Sequence, residues 1–122
     1  MKISSKELEE LLLNVFDQLD KTKESCKVTI SQCLYNHNHI NINSVIRSCM
    51  ETMDMVDLCK LFIINKSPNT KSSIVLAIIV LKSHKKECKK MFDDKICKDT
   101  IMFCYQVTDK TIKTLEYLVN TI

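Results

Sequence analysis

Apolar positions along the chain recur at helical spacing almost from end to end. In "SSKELEELLLNVFDQLD", Leu8, Leu12, Val15, Phe16 and Leu19 fall on one stripe, with Ser4 or Ser5 as N-cap and acidic residues in the first turn. This predicts an amphipathic helix over about 5–20. "ESCKVTISQCLYN" puts Cys26, Ile30, Cys33 and Leu34 on a second stripe, running to about Asn36. The octapeptide "NHNHININ" at 36–43 then breaks the pattern, because its four asparagines favour turns and caps. Asn43 or Ser44 caps the next helix, with Val45, Ile46, Cys49 and Met50. Met55, Leu58, Cys59, Phe62 and Ile63 continue at helical spacing. "KSPNTKSS" is a break that sets Pro68 near the start of another helix. That helix, about 70–90, is apolar around much of its circumference between Ile74 and Leu81, which predicts a central, buried element. Ile96, Ile101, Phe103, Cys104 and Tyr105 mark a further helix, and Ile112, Leu115, Leu118 and Val119 mark the last.

Sliding the chain along itself sets Lys71 to Val80 over Lys110 to Val119 at an offset of 39, and Val45 to Phe62 over Cys88 to Tyr105 at an offset of 43. A period near 40 residues, an apolar helix followed by a charged turn and another apolar helix, resembles the armadillo and HEAT α-helical repeats. The stretch from "SPNTKSSIVLAIIVLKSHKK" to "DKTIKTLEYLV" carries that likeness, although "DDK" at 93–95 stands where the repeat family has a glycine. The resemblance implies an all-α, right-handed superhelix of about three short repeats. An N-terminal helix at 5–20 would be followed by units at 24–64 and 67–106 and a partial one at 107–122, in a single domain. It also implies a protein-interaction scaffold whose concave face carries Met55, Cys59 and Ile63 in one copy and Lys98, Met102 and Gln106 in the next. The same apolar helix is similar to the central helix of the poxviral Bcl-like inhibitors. That second resemblance implies a globular bundle around one helix, with a groove that takes an amphipathic helix from a partner in apoptosis or innate signalling.

Composition supports the helical reading, since 122 residues contain no Gly and one Pro. The missing glycines also argue against phosphate loops, dinucleotide fingerprints and nucleophile elbows, so no catalytic or cofactor-binding residue is assigned and the chain is read as no enzyme. The formal net charge of +3 is small and concentrated in "KSHKKECKK", where neither Arg nor interleaved aromatics support base reading. That run reads as a solvated face, nucleic acid is disfavoured, and the expected partner is another protein's peptide or helix. The N-terminus lacks a signal peptide's apolar run and the longest apolar stretch, Ile74 to Leu81, is too short to span a bilayer. These features predict a soluble, intracellular chain whose seven cysteines stay reduced.

Two pairs carry possible metal chemistry. Cys33 with His37 and His84 with Cys88 are each spaced i, i+4, so each pair shares a helical face, and two such faces meeting would make a Cys2His2 site. Against it, Cys33, Cys49 and Cys104 lie on apolar stripes where a thiol packs as a small hydrophobe, and no metal is assigned. Cys88 or Cys97 as a nucleophile would need a base and oxyanion donors; only His84 near Cys88 qualifies as a base, and with flanking lysines this makes Cys88 a reactive thiol rather than an enzyme's nucleophile.

Overall fold

The computed structural model describes residues 3–35, 42–93, 95 and 97–122. They form four helices: α1 (Ser5–Leu34), α2 (Ile42–Ile64), α3 (Thr70–Lys89) and α4 (Lys98–Thr121). No strand occurs among the described residues.

The helices stand in a square, α1 and α3 each packing against both α2 and α4. Their direction alternates. Lys23 pairs with Asp57 and Lys60 with Asp20 across α1 and α2; Lys85 pairs with Asp109 and Lys82 with Glu116 across α3 and α4. Rising residue numbers on one helix meet falling numbers on its neighbour, so this is an up-down-up-down four-helix bundle. The all-α expectation is met, and so is a globular bundle in outline. The superhelix is not: α4 closes back on α1, which a stack of sequential repeats does not do. The offsets near 40 match no structural unit: the one of 39 sets the start of α3 over the second half of α4, and the one of 43 sets α2 over a stretch that crosses the α3–α4 loop, so only similar apolar stripes are being matched.

The separate helices expected at 5–20 and up to Asn36 are one, α1, 30 residues long. It opens on a capping box, in which Ser4 Oγ accepts from the Glu7 N–H at 3.1 Å and the Ser4 N–H donates to Glu7 Oε1. Its polar middle has no Gly or Pro to break it. There, Thr22 and Thr29 hydroxyls donate to carbonyls one turn back, at 3.0 and 2.8 Å, which lets them be buried without losing partners. The stripes at 45–50 and 55–63 likewise form a single α2. The turn at Pro68 is where the pattern placed it, closed by Thr70 Oγ1 donating to the Phe62 carbonyl at 3.0 Å, with Lys66 at φ 50°. Nor is α3 central. Ile74, Ala77 and Leu81 are buried, but Val75, Leu76 and Ile79 face outward, so the Bcl-like arrangement around one encircled helix fails on its own criterion.

Two cores fill the bundle. One is aliphatic, with Val15, Leu19, Val56, Ile74, Leu81, Ile112, Leu115 and Leu118. The other contains Cys26, Cys33, Cys49, Cys88 and Cys104 with Ile42, Val45, Met91 and Ile101, and Cys97 packs against it. Each helix also buries polar residues, among them Thr22, Thr52, His84, and Thr108 with Thr111. Thr22 and Thr111 meet hydroxyl to hydroxyl at 2.7 Å across α1 and α4.

Candidate metal centre

The imidazole of His84 is fully buried, on α3. Its Nε2 lies 3.3 Å from Cys104 Sγ on α4, 3.7 Å from Cys26 Sγ on α1 and 3.7 Å from Cys88 Sγ one turn along α3. Its Nδ1 lies 2.6 Å from Ser48 Oγ on α2, so both ring nitrogens are engaged and the ring is held edge-on to the thiols. Cys49 completes the group: the ligand atoms of Cys26, Cys49, His84 and Cys104 all lie within 4.8 Å of one another, and all four residues are buried. Each helix supplies one donor, which fixes the set on four rigid backbones rather than on a loop.

Electrostatically the cluster converges on Cys104. Hydrogen bonds from the thiols of Cys26, Cys49 and Cys88, with His84 adding to them, drive the Cys104 thiol far below the ordinary thiol range in spite of burial. The same bonds to Cys104 push Cys88 and Cys49 up, and Cys26 as well. Ser25 Oγ also lies near this sulfur, 3.5 Å from Cys104 Sγ, while its shorter bond, at 2.8 Å, goes to the Thr22 carbonyl. Among these thiols, Cys104 is thus the one whose ionisation its neighbours favour. All seven cysteines are free thiols. Burial, with the neighbouring Cys97 and Cys104 adding to it, raises Cys33 to about 11, and burial raises Cys59, in the aliphatic core, to about 11.

Three thiols and an imidazole in a dry pocket form a soft donor set. A metal sits at about 2.3 Å from sulfur, so tetrahedral donors are separated by roughly 3.7 Å. The spacings here lie within side-chain rotation of that value. Carboxylates, the donors that hard cations require, are absent from the cluster, which points to a thiophilic ion.

A family model for Csp, copper storage protein, matches residues 8–116. The chain belongs to that family. No curated protein and no solved structure matches it. Family membership overturns both resemblances drawn from the sequence, the armadillo or HEAT scaffold and the poxviral Bcl-like inhibitor, and with them the protein-binding function they implied.

The residues chosen for a concave partner face do not lie together on a surface. Met55, Cys59 and Ile63 are buried in the aliphatic core, where a side chain has no area to offer a partner. Lys98 and Gln106 are exposed and Met102 is half-buried, all three on α4. Of the two pairs weighed for metal, His84 and Cys88 do face the cluster. Cys33 lies in the same core, and His37 falls outside the described residues. The sequence alone assigns no metal; the structure brings Cys49 and Cys104, read there as hydrophobes, together with Cys26 and His84 in a group whose ligand atoms could hold one. The missed signal was position along the stripes. Cys26, Cys49 and Cys104 occupy apolar positions on three different helices, and an antiparallel bundle brings those positions to one level.

Proposed function

We propose that the chain binds Cu(I) as cargo in the cysteine-rich half of its bundle, with Cys26, Cys49, Cys104 and His84 as the principal ligands and Cys88 at hand beside them. The observation that carries this is the convergence of three buried thiols and one imidazole, one from each helix, within 4.8 Å. Thiolate and imidazole favour Cu(I), and membership in the copper storage family supports the choice of ion. Six of the seven cysteines belong to this half, with Cys33 and Cys97 placed farther along it. Capacity is bounded by those thiols; Cys59 lies in the other core and takes no part.

The same tetrad has the composition of a closed zinc site, three cysteines and one histidine. This second reading is separated from the first by one experiment. The reduced protein is titrated anaerobically with Cu(I) in competition with a colorimetric Cu(I) chelator, and separately with Zn(II) in competition with a zinc indicator. The copper reading requires stoichiometric capture of Cu(I), its displacement of any bound Zn(II), and loss of most capture in Cys104→Ser. Retention of Zn(II) against excess Cu(I) would favour the zinc reading.

A further inference from the structure

The tetrad is buried, so its cargo must have a way in. Two seams of the bundle bear indentations that approach it, and they differ in chemistry. On the α1–α4 side, a hollow of about 290 Å³ has Ser25 among its lining, with Val28, Phe103 and Val107 around it; its accessible surface is apolar. On the α2–α3 side, a hollow of about 330 Å³ is lined by Ser44, Ser48, Ser83, Glu51 and Glu87, with Arg47, Ile79 and Val80; its two carboxylates outnumber its one guanidinium.

The second hollow reaches a ligand directly. Ser48 lines it and is half-buried, and its hydroxyl makes the 2.6 Å bond to His84 Nδ1, while His84 Nε2 faces the thiols on the other side of the ring. A single hydroxymethyl group and an imidazole thus separate the hollow from Cys104. Glu87 adds a second feature. Its Oε1 takes Lys90 Nζ at 2.9 Å, but its Oε2 is shielded from water and has no hydrogen-bond partner among the described residues. A buried carboxylate oxygen left without a donor favours a passing cation. The α1–α4 hollow has Lys21, Glu24 and Thr100 in its lining besides Ser25, but the Ser25 hydroxyl donates to the Thr22 carbonyl at 2.8 Å and that of Thr100 to Gln32, and none of the described residues lining it hydrogen-bonds His84.

We propose that Cu(I) enters and leaves the tetrad sideways, through the α2–α3 mouth, with the Ser48–His84 hydrogen bond as the latch. This rests on the copper reading above. When the hydroxyl releases Nδ1, the imidazole is free to turn about its Cβ–Cγ bond, so a nitrogen that faced the mouth can be exchanged for one that faces the thiols. Ser48 is then a positioning residue: it governs the rate of exchange and is not itself a ligand of the stored ion.

The test is the rate at which the full chain takes Cu(I) from its complex with bicinchoninate, followed by stopped-flow absorbance, with final stoichiometry and melting temperature measured alongside. Ser48→Leu fills the mouth and should slow uptake by about tenfold or more, as a blocked gate does, with the final stoichiometry unchanged. Ser48→Ala removes the latch and should speed uptake severalfold. Val28→Trp, placed over the α1–α4 hollow on a residue 44% exposed, should leave the rate as it was. Uptake by Ser48→Leu at the wild-type rate, or slowing confined to Val28→Trp or to Cys97→Ser, would overturn the route. A wild type that captures no Cu(I) would defeat the copper reading instead. The route would then be judged from alkylation of Cys104 by iodoacetamide: protection in Ser48→Leu supports it, and unchanged alkylation rejects it.

Discussion

The two halves of the bundle are built on the same four helices, yet they are packed from different materials. The half holding Leu19, Val56, Ile74 and Leu115 is filled with branched aliphatic side chains, each of which buries enough apolar area to contribute about 1.5–3 kcal/mol. The half holding Cys26, Cys49, Cys88 and Cys104 packs thiols around an imidazole, and a thiol is a small, weak hydrophobe. One half can therefore be optimised for holding the helices together while the other is kept for chemistry. What this teaches is that a four-helix frame need not be stabilised where it functions.

Several substitutions would sharpen or break that division. The largest expected effect is on metal: Cys104→Ser removes the sulfur on which the other donors converge and should abolish most Cu(I) capture, while far-ultraviolet circular dichroism stays helical. In the opposite half, Leu115→Ala leaves a cavity and should cost about 2–5 kcal/mol in urea unfolding, with Cu(I) stoichiometry of the folded protein unchanged. If both variants lost both properties equally, the division would be false.

Alkaline pH gives the next effect. Cys33 and Cys59 are raised to about 11 in the folded protein, above the ordinary thiol value near 9, so the folded state holds these protons more tightly than the unfolded one. Their contribution is complete below pH 9 and is lost as pH climbs through 11. A loss of roughly 3 kcal/mol per thiol is expected for the metal-free protein, read as a falling urea midpoint. The smallest effect separates Cys59 from its six companions. Cys59→Ala should cost about 1 kcal/mol in unfolding, typical of a small core truncation, and leave Cu(I) capture intact.

Much of the frame was legible in the sequence. Absence of Gly, the Pro68 turn and the apolar stripes gave helices and no strands, and the capping serine was among the two residues expected. Chain topology was not legible, because a stripe records only that a helix has a buried face and not which helix covers it. That ambiguity let Lys71 to Val80 over Lys110 to Val119 look like stacked repeats when α3 and α4 are antiparallel neighbours. The polar run at 20–25 likewise split α1 into two expected helices, whereas Thr22 and Ser25 are buried and bonded to α1's own carbonyls. The site was half legible. His84 and Cys88 stood out by their i, i+4 spacing, but Cys26, Cys49 and Cys104 are far apart in sequence and each occupies a position that any small hydrophobe would fill. Only the level at which four helices cross shows that they share one pocket.

The most direct test of the central claim is a crystal structure of the Cu(I)-loaded protein with anomalous differences collected on both sides of the copper absorption edge. The account predicts copper density among Cys26, Cys49, Cys104 and His84, within the cysteine-rich half, and none in the core around Cys59. Copper confined to the surface, or a tetrad filled by zinc after exposure to excess Cu(I), would contradict it.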